Sequence, residues 1–170
     1  MKDIRIFLSD LDGVWTDGGM YYDNEGNELK RFNTADSAGV LFLRMLDIPA
    51  GIVTGEDTEI VARRARKLGI TILHMGVRDK LSVVREICGE LECGLDEVAY
   101  LGDDIIDIPV LEKVGLSAAP ANAPAYVKDK VRWVLDKKGG EGVFREFVEK
   151  YLSEKGLLEK AINLYLSGIK

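Results

Sequence analysis

Of the side chains that most often bind transition metals, the sequence has few: one histidine, His74, and two cysteines, Cys88 and Cys93. Four residues separate the cysteines, and no second pair or histidine partner lies nearby, so a zinc site finds no support and ordinary reduced thiols are expected. No stretch approaches the roughly 20 apolar residues of a membrane span. The opening Met1-Lys2-Asp3-Ile4 runs directly into a strand-like segment without the hydrophobic region of a signal peptide, which points to the cytoplasm. Basic charge is also in deficit. Lys and Arg number 23 against 29 Asp and Glu, for a net charge of −6, and the basic stripe that grips nucleic acid is missing. An acidic chain that binds an anion must concentrate positive charge locally, by a metal ion or a few placed lysines. There is no internal repeat, low-complexity tract or linker. The 170 residues, 46% of them hydrophobic, suit one domain, residues 1–170, with its own core.

What is present is an alternation. Short apolar runs, Ile4–Leu8, Pro49–Val53, Ile70–Leu73, Val98–Leu101, Gly115–Ala118 and Val131–Leu135, read as strands. Helical patterns lie between them at Ser37–Leu46, Thr58–Leu68, Lys80–Leu91, Ile105–Lys113 and Val143–Tyr151; in the second, Ile60, Val61, Ala65 and Leu68 share a face. Such a sequence predicts an α/β fold, a Rossmann-like parallel sheet sandwiched by helices. One segment interrupts it: Gly19–Asp23 and Glu28–Asn33, joined by Asn24-Glu25-Gly26-Asn27, predict a β-hairpin over about residues 19–33. The C-terminal tail, about residues 153–170, is amphipathic through Leu157, Leu158, Ala161, Ile162 and Tyr165, as a helix packed on the body or one that binds a partner.

Three predicted strands end in unusual chemistry: Asp10-Leu11-Asp12, Thr54-Gly55 and Gly102-Asp103-Asp104, while Lys80 opens the helix before the fourth strand. In open parallel sheets, sites form beyond the carboxyl ends of the strands, so these four elements converge if the strands are central. Packed carboxylates repel one another unless a cation intervenes. All-oxygen ligands favour a hard ion, magnesium above all, with Asp10 and Asp103 as the natural ligands. Thr54 supplies a hydroxyl and Lys80 an ammonium for a phosphoryl group in transfer. A carboxylate serves as nucleophile, and Asp12 as general acid and base. Singly, each feature has an ordinary reading: Asp-x-Asp as a turn, Thr-Gly as a loop start, Lys80 as a solvated lysine, Asp103-Asp104 as a helix cap. Their joint order carries the functional reading.

With Asp10-Leu11-Asp12-Gly13-Val14-Trp15-Thr16, Thr54, Lys80 and Gly102-Asp103-Asp104-Ile105-Ile106-Asp107 in this order, the chain resembles the haloacid dehalogenase (HAD) superfamily of phosphotransferases. That resemblance implies Asp10 as nucleophile and metal ligand, and Asp12 as acid/base with its backbone carbonyl on the metal. It implies Asp103 as third ligand, with Asp104 and Asp107 supporting the ligands from behind. From Ile4 to about Tyr151 the chain is similar to the compact branch that hydrolyses phosphates of 2-keto-3-deoxy sugar acids. The residues that carry this are Thr16-Asp17-Gly18 before the hairpin, Lys30-Arg31-Phe32 leading to Asp36, and Gly139-Gly140-Glu141-Gly142-Val143-Phe144-Arg145-Glu146. The branch implies no cap domain, a homotetramer in which a neighbour helps close the site, and 3-deoxy-D-manno-octulosonate 8-phosphate (KDO 8-phosphate), a lipopolysaccharide precursor, as substrate. Three departures, Glu56 in place of arginine, Asp36-Ser37 in place of Asp-Gly and Glu141 in place of arginine, look more like the sister enzymes for 2-keto-3-deoxynonulosonate 9-phosphates. There Glu56, with Lys67, would read the sugar, and Gly55 and Arg64 are further substrate-binding candidates. A non-catalytic tetramerisation module is the alternative of another class.

Other residues stay open. His74 reads as a surface or loop histidine. Trp15 either walls the pocket or packs. Arg63 and Arg64 lie on a solvated face unless one meets a carboxylate, and Arg145 would support the substrate or a neighbouring subunit. Gly139, Gly140 and Gly142 suit a lid or an ordinary loop.

Overall fold

The computed structural model describes residues 2–168. Its sheet is built from β1 (Ile6–Ser9), β4 (Ala50–Val53), β5 (Ile72–His74), β6 (Val98–Leu101), β7 (Leu116–Ala119) and β8 (Trp133–Val134). All six are parallel, in the order β5-β4-β1-β6-β7-β8. The centre is buried on both faces, which is why β1 and β6 read as unbroken apolar runs rather than as alternations. Their side chains still divide by a period of two. Phe7, Ala99 and Leu101 join the core on one face, and Ile6, Leu8, Val98 and Tyr100 the core on the other.

Helices α1 (Asp36–Met45), α2 (Glu59–Leu68), α6 (Val143–Glu154) and α7 (Leu158–Ser167) cover the first face; α3 (Lys80–Glu90), α4 (Ile108–Leu111) and α5 (Ala125–Lys128) cover the second. In α6 the buried residues Val143, Phe144, Phe147, Val148, Tyr151 and Leu152 recur at helical spacing. Phe147 and Tyr151 each meet the Phe7 ring edge-on at 5.3 Å. The buried Asp36 at the start of α1 accepts a hydrogen bond from the Arg145 amide at 3.1 Å and so caps α6. The buried stripe of α2 takes in Ala62, whereas Ile60 is only half-buried.

The expected helix over 105–113 is two pieces, a 3-10 turn at Ile105–Asp107 and then α4, because Asp107 is drawn back to serve the preceding loop and Pro109 follows in the first turn of α4. The hairpin is present but shorter than expected: β2 (Tyr21–Tyr22) and β3 (Glu28–Leu29) pair antiparallel, and one further bridge joins Thr16 to Phe32. No sheet face lies beneath its two short strands, and its turn is closed by Asp23 accepting from the Glu25 and Asn27 amides. The tail helix α7 packs on the body through Ala161, while Ile162, Leu164, Tyr165 and Leu166 remain exposed. Residues 169–170 of the expected tail lie outside the described residues. Among the described residues no inserted domain covers the carboxyl ends of the strands.

Phe147→Ala should cost about 3–5 kcal/mol, since it removes the ring that seats α6 on Phe7. Urea unfolding should show a lower midpoint at unchanged slope; a midpoint like that of the wild type would contradict this account of the core.

Candidate active site

The carboxyl ends of β1, β4 and β6 meet where the chain order reverses about β1. The Asp10 amide continues the sheet ladder by donating to the Leu101 carbonyl at 3.0 Å, so its backbone is as fixed as the strand. The Asp10 carboxylate accepts from the Leu11 amide at 2.7 Å and pairs with Lys80 Nζ at 2.8 Å. Lys80 is buried at the first residue of α3, behind the cap that Asp79 provides by accepting from Ser82. Its ammonium also pairs with Asp107 at 2.7 Å. Asp107 is fully buried and takes four donors: Lys80 and the Tyr100 hydroxyl (2.8 Å) on Oδ1, the Asp103 and Asp104 amides (3.0 and 3.2 Å) on Oδ2.

One oxygen each of Asp10, Asp103 and Asp107 lies within 4.8 Å of the others. Burial and then the charge of Asp107 push Asp10 up to about 7, with Lys80 pulling the other way. Burial, then Asp10, Asp107 and Asp104, push Asp103 up to about 8. Burial works against the Lys80 ammonium, but Asp10 and Asp107 outweigh it and raise its pKa, so it stays charged. The buried Asp103 Oδ1 has no hydrogen-bond partner. An all-oxygen cluster with surplus negative charge and an orphaned acceptor fits a hard divalent cation.

Close approach needs glycine here. Gly13 has φ +77°, and a Cβ on it would lie 1.9 Å from Asp103 Oδ2. A Cβ on Gly139 would lie 1.8 Å from the Gly13 carbonyl oxygen, and the Gly140 amide donates to the Val14 carbonyl at 2.9 Å. The glycine-rich segment is therefore a buttress behind the Asp10–Thr16 loop and not a lid. Trp15 also proves to be core: it stacks on Phe144 at 4.4 Å and donates to Ser9.

A cleft of about 270 Å³ opens over the cluster, lined by Asp10, Asp12, Thr54, Gly55, Glu56, Asp103 and Asp104 among others. A cleft of the same size, about 270 Å³, lies between Arg44, Ile48 and Ile70 but holds no such cluster, so volume alone does not locate the chemistry. Thr54 Oγ1 accepts from the Glu56 amide at 3.1 Å, leaving its proton for another acceptor. Asp12 stands apart from the three clustered carboxylates. Thr16 Oγ1 donates to its Oδ1 at 2.9 Å, and Lys30 Nζ donates to its Oδ2 at 2.8 Å. The Lys30 side chain is wholly covered and pairs also with Glu56 (3.3 Å) and Glu28 (3.6 Å). Burial opposes the Lys30 charge, but Asp12 and Glu56 outweigh it and raise its pKa.

Lys30 and Tyr100 were not marked by sequence reasoning. Lys30 stood out only within Lys30-Arg31-Phe32, and Tyr100 looks like one more apolar strand residue. Arg64 and Lys67 are not brought to the cleft: Arg64 donates to the Asn33 carbonyl at 3.0 Å and lies over Phe32, and Lys67 is exposed on α2. Arg145 pairs with Glu149 on its own helix, and half-buried His74 ends β5, its carbonyl accepting from the Thr54 amide.

The raised values of Asp10 and Asp103 fix a pH dependence. A carboxyl whose pKa is higher folded than unfolded contributes stability that is complete below about pH 4 and is lost as pH rises through the folded value. With chelator present, Tm should fall by several degrees between about pH 6 and about pH 9. Magnesium should restore it, more at the upper pH than at the lower; a chelated Tm that is flat over that range would refute the carboxylate account.

Comparison with known proteins meets this geometry. A family model described as haloacid dehalogenase-like hydrolase matches residues 56–147. The 3-deoxy-D-manno-octulosonate 8-phosphate phosphatase KdsC of Yersinia pestis is 42% identical over 162 residues, 95% of this chain and 87% of that protein. The crystal structure of the phosphatase of the same name from Moraxella catarrhalis, in complex with magnesium, phosphate and KDO, superposes with a TM-score of 0.91 at 31% identity, covering 95% of this chain and 93% of that one. The cobalt-bound enzyme of Haemophilus influenzae gives a TM-score of 0.86 at 36% identity, covering 91% and 90%. The chain thus belongs to the haloacid dehalogenase-like hydrolases, in the group that contains the 3-deoxy-D-manno-octulosonate 8-phosphate phosphatases.

Proposed function

We propose that this chain is a magnesium-dependent phosphatase that converts KDO 8-phosphate to KDO and phosphate through an aspartyl-phosphate on Asp10. The observation that carries the chemistry is the Asp10 carboxylate, held at 2.8 Å by buried Lys80 on the floor of a cleft that Thr54 and Asp12 also line. The substrate follows from relatives that act on it, and from the one solved with magnesium, phosphate and KDO.

Asp10, Asp103 and the backbone carbonyl of Asp12 would hold magnesium, with Asp104 and Asp107 behind them. When bound, the ion offsets the carboxylate surplus and draws charge from the phosphate oxygens. Asp10 attacks phosphorus while Lys80 and the Thr54 hydroxyl hold the equatorial oxygens. As the P–O ester bond breaks, Asp12 gives its proton to the departing sugar oxygen. In the second half, Asp12 takes a proton from water, which attacks phosphorus and frees phosphate and Asp10. Gly55 and Glu56 face the space where the sugar would lie. Arg64 and Lys67 meet a substrate only if another copy of the chain presents them.

Four exposed apolar side chains on the hairpin, Met20, Tyr21, Tyr22 and Leu29, support a homotetramer joined there. The two free cysteines accord with the cytoplasm, and no helix among the described residues is long and apolar enough to cross a membrane. A nine-carbon 2-keto-3-deoxynonulosonate 9-phosphate is the second reading, favoured by the Glu56 carboxylate at the cleft. A purely structural module leaves the assembled Asp10, Lys80, Asp103 and Asp107 without purpose.

Phosphate release with magnesium should favour KDO 8-phosphate in kcat/KM, and Asp10→Asn should lower it by several orders of magnitude. A higher kcat/KM for the nine-carbon ester would hand the site to the second reading; no release from either would end the enzyme reading. Tyr22→Glu should shift the particle from four chains to fewer in light scattering. A tetramer that survives this change would remove the hairpin from the interface.

A further inference from the structure

We infer that Tyr100, which touches neither cation nor substrate, is a positioning residue that fixes the metal-binding loop by pinning Asp107. Asp107 joins three parts of the site: α3 through Lys80, the loop after β6 through the Asp103 and Asp104 amides, and β6 itself through Tyr100. These donors are not equivalent. Lys80 is shared with Asp10 at 2.8 Å, and in the proposed reaction it also turns to the phosphoryl group. The two amides belong to the loop being positioned. Only the Tyr100 hydroxyl is anchored independently, on a central strand paired with β1 and β7 and with its side chain fully buried.

The ring lies in the core beneath α3, in the cluster that includes Val84 and Ile87, so its hydroxyl has little freedom. Oδ1 of Asp107 is thereby held between the Tyr100 hydroxyl and Lys80, in a residue of which one oxygen lies within 4.8 Å of those of Asp10 and Asp103. With Oδ1 held, Oδ2 stays on the Asp103 amide at 3.0 Å, and the Asp103 carboxylate stays beside the bare Cα of Gly13. Without the hydroxyl, Asp107 depends on Lys80 alone at Oδ1 and is free to turn, taking the Asp103 backbone with it. Groups that orient metal ligands from one step behind typically change metal affinity or activity about 10- to 100-fold when removed.

The inference rests on the metal-dependent reading above, and the test separates the two. Titration calorimetry with magnesium chloride alone compares the wild type, Tyr100→Phe and Tyr151→Phe. Tyr151 is a second buried tyrosine, on the other face of the sheet, whose hydroxyl accepts from the Ile4 amide at 2.9 Å. Its phenylalanine variant therefore loses one buried hydrogen bond away from the site. Tyr100→Phe should weaken magnesium about 10- to 100-fold while KM for the phosphate ester at saturating magnesium stays within about twofold. Tyr151→Phe should bind magnesium as the wild type does. Unchanged magnesium affinity in Tyr100→Phe overturns the inference, and so does an equal loss in both variants, which would mark general loosening. A wild-type protein that takes up no magnesium overturns the metal-dependent reading itself, and the inference falls with it.

Discussion

Three carboxylates, Asp10, Asp103 and Asp107, converge beside one buried ammonium, that of Lys80, and their mutual repulsion is what the surrounding structure has to contain. Left alone, these groups keep protons on: burial first, and then the neighbouring carboxylates, push Asp10 up to about 7 and Asp103 to about 8. A divalent cation relieves it differently, by supplying charge. The cluster is thus a weak point of the metal-free fold and the source of its affinity for a cation by one cause. Strained or repelling groups persist where the scaffold over-determines them, and here the scaffold is the centre of a parallel sheet.

The sheet supplies that determination through backbone bonds. Asp10 is fixed by β6 through the Leu101 carbonyl, and Thr54 donates its amide to β5 through the His74 carbonyl. Lys80 enters at the start of a capped helix. Two glycine contacts then draw the loops together: Gly13 lets Asp103 approach, and Gly139 lets the chain before α6 lie against the back of the Asp10 loop. The Asp10–Thr16 loop is consequently gripped on one side by the Asp103 loop and on the other by a segment more than 120 residues away in sequence.

Sequence made the charged residues legible because each stands at the end of a strand or the start of a helix, where topology alone dictates convergence. Asp10, Asp12, Thr54 and Asp103 line the same cleft, and Lys80 sits directly beneath it. Residues whose role depends on tertiary packing were not legible. Tyr100 carries no period or motif that separates it from Val98 or Ala99. Gly139 and Gly140 suggested a lid because glycine marks both freedom and close contact, and only the distance to Gly13 distinguishes them. Arg64 and Lys67 fall on α2 at positions that do not line the cleft of their own chain, something a resemblance in sequence does not reveal. The hairpin was visible from its turn, but the inward reach of Lys30 was not.

That reach bears on how the cleft distinguishes substrates. In β3 and the residue that follows it, Glu28 and Lys30 turn inward and Leu29 outward, so one edge of the hairpin faces Asp12 while the other is apolar and exposed. The Lys30 ammonium lies between Asp12 and Glu56, at 2.8 and 3.3 Å. By the resemblance drawn from the sequence, Glu56 stands where the octulosonate pattern has arginine. An arginine there would remove one of the carboxylates that hold Lys30 and place a second cation beside it. Glu56 and Lys30 therefore act as a matched pair. Position 56 and the hairpin lysine that neutralises it have to be weighed together, and whatever seats the outer face of the hairpin also fixes the Lys30 contact to Asp12.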